Sequence, residues 1–214
     1  MDLNQLIDGL ILYVGLLVLL TFHEYAHAWM AWRCGDDTAR LQGRCSLNPL
    51  VHIDPIGTVV LPLLMIFLPG AGRFLVGWAK PVPVNPYNLG HPRRDELLVA
   101  MAGPAMNVVL AVILLGLARV LTWTPWTAMT EFLMFLAYLS LLLCFFNLIP
   151  IPPLDGSYLL RHFTGMSHET YHKLAQYGFL ILILVLQVPG VRSTLAGVTS
   201  FTWMLMARGW GLSA

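Results

Sequence analysis

Apolar residues in this chain gather into runs separated by polar, proline-rich stretches. A transmembrane helix needs about 20 predominantly apolar residues. Four runs reach or approach that length, from about Leu6 to Ala31, Leu97 to Leu121, Ala128 to Ile149 and Leu174 to Val188. A fifth, from about Leu195 to Ala207, is diluted by Gly197, Thr199 and Ser200. Thr58 to Leu68 is apolar but too short to cross, with Pro62 inside it and Pro69 at its end, a pattern that suits a re-entrant or interfacial segment. The polar stretches are Arg33 to Pro55, Pro69 to Glu96 and Pro150 to Lys173. Within the second, the recurrent prolines of Gly77 to Pro86 exclude helix and allow extended chain or an edge strand. The pattern predicts an all-α polytopic membrane protein. It has a three-helix core, one or two C-terminal spans, a re-entrant segment and a small extended or β element.

Composition narrows the picture. Of the 214 residues, 57% are hydrophobic and 11% charged, against roughly 25% charged in a soluble domain. Twelve basic and 11 acidic residues cannot coat a soluble monomer, and a net charge of +1 offers no basic face for nucleic acid. Three cysteines, Cys34, Cys45 and Cys144, have neither the number nor the spacing of a disulfide framework. The first run is not read as a secretory signal, because its flank carries Asp2 and Asp8 and no basic residue. Arg33, Arg40, Arg44, Arg73, Lys80, Arg93 and Arg94 lie between the first and second spans, and Arg161 and Lys173 between the third and fourth. By the positive-inside rule both loops are expected to be cytoplasmic and the N-terminus outside. Trp29, Trp32, Trp123 and Trp126 fall at span ends, as interfacial belts do.

Ionisable groups at membrane depth are costly, by roughly 2.5 to 3.5 kcal/mol each on insertion scales. His23-Glu24-Tyr25-Ala26-His27 lies inside the first apolar run. Positions i and i+4 share a helix face, so His23 and His27 can bind one Zn²⁺ while Glu24 reaches the water that the metal activates. The other reading is a pair of interhelical histidines. A second HExxH, His168 to His172, occurs in a polar linker, where such residues need no special explanation and Ser167 serves as a helix cap. A catalytic zinc takes three protein ligands and a water. Asp155 is the best third candidate, because the three prolines of Asn147 to Gly156 break the helix and let the aspartate turn back toward the membrane. If Thr58 to Leu68 does not cross, His27 and Asp155 reach the same cytoplasmic side. An aspartate before glycine is also a common turn pairing. His52 and Asp54 are rival ligands, partners that orient the ligands, or residues of a loop turn.

The chain resembles the site-2 proteases, zinc intramembrane metalloproteases. Three blocks in the family's order carry the resemblance: His23 to His27, Ala102-Gly-Pro-Ala-Met-Asn107, and the N-x-x-P…D-G block from Asn147 to Gly156. Asn48 to Gly57 and Gly77 to Pro86 look like the compact subgroup without a PDZ domain, whereas the match weakens from Gly165 onward. The resemblance implies one zinc per chain, held by His23, His27 and Asp155, with Glu24 as general base and Asn147 as a polar active-site residue. It implies one domain over residues 1–214, with a catalytic core at about 6–161 and C-terminal spans at about 172–208. The expected activity is endoproteolysis of transmembrane helices in a lipid bilayer, near the cytoplasmic side of the cell membrane.

Hydrolysis there requires water and an unwound substrate, since a helix shields its peptide bonds with its own hydrogen bonds. The extended Trp78 to Asn85 stretch, or Leu41 to Leu47, is a candidate edge for holding the unwound segment; each is equally readable as an interfacial loop. Asn147 is open to two roles, supporting a substrate carbonyl or bridging helices. Gly103, Pro104, Ala105 and Asn107 read as close helix packing. Two other classes compete. A transporter also places histidine and aspartate at depth but does not need glutamate beside the histidine pair; a non-catalytic helix-binding adaptor would lack a ligand or the base.

Overall fold

The computed structural model describes residues 3–67 and 77–212. It is helical, with no strand among the described residues, and divides into two compact units, Met1–Pro92 and Arg93–Ala214. Among the described residues three helices are long and apolar enough to cross a membrane, or four if the bent pair at 169–209 is one span, and the protein is a multi-pass membrane protein.

The first unit is built on α1 (Leu3–Arg33), whose 31 residues extend about 46 Å at 1.5 Å per residue. Ala26, Ala28 and Ala31 are buried along its C-terminal half, where small side chains let other segments approach. A short helix α2 (Thr38–Leu41) and a 3₁₀ turn (Pro49–His52) follow, the turn capped by Asn48 Oδ1 accepting from the Leu50 N–H at 3.1 Å. A widened π turn (Pro55–Val60) then runs into α3 (Leu61–Phe67). Pro55 to Phe67 spans about 20 Å as helix, less than a bilayer's hydrocarbon core of about 30 Å. The described helical part of this apolar run is therefore short; its end at Leu68 and Pro69, and Arg73 beyond, lie outside the described residues. The α3 helix packs on α1 through Ile66 against Gly9, where an added Cβ would stand 3.2 Å from the isoleucine.

Residues 77–85 form neither helix nor β ladder, in keeping with their prolines, and Asn85 is extended; the Trp78 and Lys80 N–H groups donate to the Gly57 and His52 carbonyls of the preceding helical turns. Pro81 and Pro83 have no N–H to donate, which prevents a regular strand pairing. Leu41 to Leu47 is not extended: Leu41 ends α2 and turns follow it.

The second unit contains α4 (Pro92–Leu121), α5 (Thr127–Asn147), α6 (Gly156–Thr164), α7 (His168–Gln187) and α8 (Pro189–Gly209). Its core is Ala111, Leu115 and Ala118 of α4, Ala137 and Leu141 of α5, Ala207 of α8 and Leu212. The alanines set close spacing, and two hydrogen bonds fix register: Ser140 Oγ to the Asn107 carbonyl at 2.8 Å, and Trp203 Nε1 to the Met134 carbonyl at 3.0 Å. Gly103, Pro104 and Asn107 are buried in this region, in keeping with a packing role. The fourth and fifth apolar runs become α7 and α8, bent by 83° at Val188, whose extended backbone precedes a proline that starts α8.

Candidate active site

His23 and His27 lie one turn apart on α1 and are buried, with 4% and 7% exposure. Their Nε2 atoms are 3.0 Å apart and their rings are nearly perpendicular, at 82°. Two tetrahedral ligands at Zn–N distances of 2.0–2.1 Å stand about 3.3 Å apart, so two neutral imidazoles in this arrangement fit a zinc ion. Glu24, between them in sequence, is half-buried.

Two residues of the same unit, Arg44 and His52, feel the charge of Glu24. In the sequence Arg44 is one of seven basic residues between the first and second spans. It is 5% exposed, and its Nη2 donates to the main-chain carbonyl of Lys80 and, at 3.5 Å, to that of Pro81. Burial lowers its pKa from the ordinary arginine value, partly opposed by the carboxylate of Glu24. His52 is 2% exposed, and its Nε2 donates to the Ser46 carbonyl at 2.8 Å. Burial pulls its pKa below the usual histidine value and the positive Arg44 adds to this, while the Ser46 carbonyl and Glu24 oppose it. The Asp54 carboxylate accepts from the Ile56 and Gly57 N–H groups at 3.0 and 2.7 Å, the loop-turn role among those its sequence allowed.

The extended segment is fastened along its length within this unit. Trp78 N–H donates to Gly57 O at 3.2 Å, Thr58 Oγ1 to Trp78 O at 2.8 Å, and Lys80 N–H to His52 O at 2.9 Å. Gly57 has no alternative at its position, because a Cβ there would collide with the Trp78 indole. At the far end the fully buried Asp36 accepts from Asn85 N–H at 2.7 Å and Asn88 Nδ2 at 3.0 Å.

In the second unit, Asp155 directly precedes α6, yet its backbone is already helical and its carboxylate makes no capping bond. The neighbouring Gly156 packs on the Leu148 carbonyl with no room for a Cβ, which explains why glycine follows the aspartate. Asn147, the last residue of α5, donates through Nδ2 to the Leu143 carbonyl of its own helix at 2.9 Å, rather than to another helix. The second HExxH opens α7, where Ser167 Oγ caps the helix by accepting from Thr170 N–H at 3.2 Å, and Glu169 pairs with Lys173 on an exposed face.

The paired histidines on a membrane-length helix, with glutamate between, define a metallopeptidase class of centre, and sequence comparison agrees. The chain matches the family described as "Peptidase family M50" over residues 11–126 and 122–186, and it belongs to that family. It is 35% identical over 188 residues to "Putative zinc metalloprotease YwhC" of Bacillus subtilis, covering 83% of this chain and 80% of that protein. It is 37% identical over 186 residues to "Putative zinc metalloprotease Rip2" of Mycolicibacterium smegmatis, covering 85% of this chain and 68% of the relative. The Rip2 of Mycobacterium tuberculosis is 33% identical over 187 residues, covering 86% and 69%. No solved structure matches the chain significantly.

Proposed function

We propose that this peptidase is a zinc-dependent intramembrane endopeptidase that hydrolyses peptide bonds within or near the transmembrane helices of membrane-protein substrates. The observation that carries the reading is the buried His23–His27 pair, 3.0 Å between Nε2 atoms, on a helix long and apolar enough to cross the bilayer. Zinc is the cofactor, one per chain, held by His23, His27 and Asp155. Two imidazoles and a carboxylate are the donor set of a catalytic zinc with a position left open, and Asp155 does not spend its carboxylate on α6. Bound there, zinc supplies a Lewis acid that activates water and polarises the scissile carbonyl.

Glu24 accepts the proton of the attacking water and returns it to the leaving amine. His23 and His27 would each bind the metal through the Nε2 lone pair. Asn147 keeps one amide proton beyond the one given to Leu143, and that proton supports the developing negative charge on the carbonyl oxygen. The fastened segment 78–85 receives the unwound substrate along Val82 and Val84, main-chain bonds replacing those of the helix. Residues 1–214 act as one domain in the cell membrane, with the N-terminus outside and the reaction near the cytoplasmic side, following the basic loops.

The test uses purified protein in lipid nanodiscs with a membrane-spanning peptide. Cleavage within the span, stopped by chelator and restored by zinc, supports the proposal. Cleavage indifferent to the chelator, or confined to soluble peptides, contradicts it.

A further inference from the structure

Among the described residues of the first unit, two buried side-chain polar atoms lack a hydrogen-bond partner. Arg44 Nε and His52 Nδ1 are buried without a hydrogen-bond partner, in side chains that are 95% or more removed from solvent at 5% and 2% exposure. A buried donor or acceptor left unmade costs roughly 1–3 kcal/mol, and native folds rarely leave such groups unsatisfied.

Through other atoms, both residues hold the same residue of the segment that follows Gly77. Arg44 Nη2 donates to the Lys80 carbonyl, and the His52 carbonyl accepts the Lys80 N–H at 2.9 Å. Lys80 is thereby satisfied on both sides, and the remaining capacity belongs to the two side chains. Their chemistry is complementary. The Arg44 Nε–H is a donor only. His52 Nε2 gives its proton to Ser46, which leaves Nδ1 of a neutral ring as an acceptor. Burial together with the positive Arg44 disfavours protonation of that ring, against the opposing Ser46 carbonyl and Glu24. Both feel the charge of Glu24.

We infer that Arg44 and His52 form a positioning pair for the substrate main chain, Arg44 Nε–H donating to a carbonyl and His52 Nδ1 accepting an N–H of the unwound segment. This rests on the protease reading above and adds to it the part of the substrate that is recognised. A second cation at His52 Nδ1 is disfavoured by the neighbouring guanidinium. A donor–acceptor pair matches what an unwound helix exposes, namely N–H and C=O groups that have lost their partners. Recognition of this kind is independent of side-chain identity and selects for segments that unwind.

His52→Gln isolates the acceptor, because the glutamine amide retains a donor for Ser46 and removes Nδ1. Arg44→Lys retains charge and a donor for Lys80 and removes Nε. KM and kcat are measured in nanodiscs on a membrane-spanning peptide and on versions with one backbone N–H at a time replaced by an ester oxygen. In the wild type, one ester near the scissile bond raises KM about tenfold, one hydrogen bond's worth at 1.4 kcal/mol. In His52→Gln the amide substrate shows the same tenfold rise, that ester adds nothing further, and kcat stays within twofold. Arg44→Lys raises KM similarly with zinc retained.

The inference is overturned if no ester position raises KM in the wild type, if the ester and His52→Gln penalties multiply, or if wild type binds a second zinc that His52→Gln loses. Should His52→Gln fail to fold by its melting curve, the wild-type ester scan decides alone. A wild type that cleaves nothing overturns the protease reading and this inference with it. A cleaving wild type without an ester effect overturns this inference only.

Discussion

Asp36 and Asn85 are joined by a 2.7 Å hydrogen bond from the Asn85 main-chain N–H to Asp36 Oδ2. It ties the far end of the extended segment to the chain just after α1, and Thr38 and Asn88 complete the set of donors around the carboxylate. Charge-assisted bonds of this kind contribute roughly 1.5–3 kcal/mol each, so Asp36→Ala is expected to lower stability by about 3 kcal/mol, read as a reduced melting temperature in detergent.

The same carboxyl predicts a pH dependence. Burial, the largest influence, would raise its pKa, but the bonds from Thr38, Asn85 and Asn88 outweigh it and hold the value below the ordinary carboxylate range. Its contribution to stability is therefore full above the unfolded pKa of about 3.9 and is lost as pH falls through the lower folded value. Melting profiles between neutral pH and pH 3 should fall less steeply at the acid end for Asp36→Asn than for wild type. Parallel profiles would contradict this role.

Arg161 donates to Glu96 at 2.8 Å, with side chains only 11% and 10% exposed. Removing one member of such a pair strands the other away from water, at a cost of roughly 3 kcal/mol or more. Arg161→Ala is expected to melt well below wild type, with Arg161→Ala, Glu96→Gln recovering part of the loss. A double variant no better than the single one would show that the pair is not the cause.

Gly156→Ala places a methyl against the Leu148 carbonyl. Relief requires the turn carrying Asp155 to shift, and zinc affinity is expected to fall at least tenfold, measured by competition with a chelator. Gly165→Ala is the control: it adds a methyl in open space at a left-handed position, costs stability through backbone strain, and leaves zinc affinity unchanged.

The two HExxH copies make opposite predictions. His23→Ala should abolish zinc binding. His168→Ala, His172→Ala should retain zinc and activity, since that motif opens α7 beside a Ser167 cap and a surface Glu169–Lys173 pair. Loss of zinc in the second variant with retention in the first would reverse the assignment.

Much of this was legible in the sequence because its causes are local. Twenty or more apolar residues specify α1, α4 and α5, and i,i+4 spacing specifies the facing histidines. Ser167 announced its cap by preceding a helix-forming run. What was not legible depends on distant partners. Arg44 looks like any basic loop residue until Lys80, 36 residues away, is brought to it, and Asp36 looks like a turn aspartate until Asn85 arrives. The prolines exclude helix from 77–85 but do not say whether that chain pairs as a strand; the structure fastens it to the His52 and Gly57 carbonyls of short helical turns instead. The Val188–Pro189 bend was marked by its proline, yet its angle of 83° follows from packing rather than from apolar content.

The most direct measurement is zinc content and substrate cleavage side by side for wild type and Glu24→Gln in nanodiscs. Glutamine preserves the shape of residue 24 and removes its basicity. The account predicts one zinc per chain in both proteins, with cleavage of the membrane-spanning peptide reduced at least a hundredfold in Glu24→Gln, consistent with general-base catalysis of roughly 10²–10⁴-fold. Wild type without zinc, or Glu24→Gln cleaving at the wild-type rate, would contradict it.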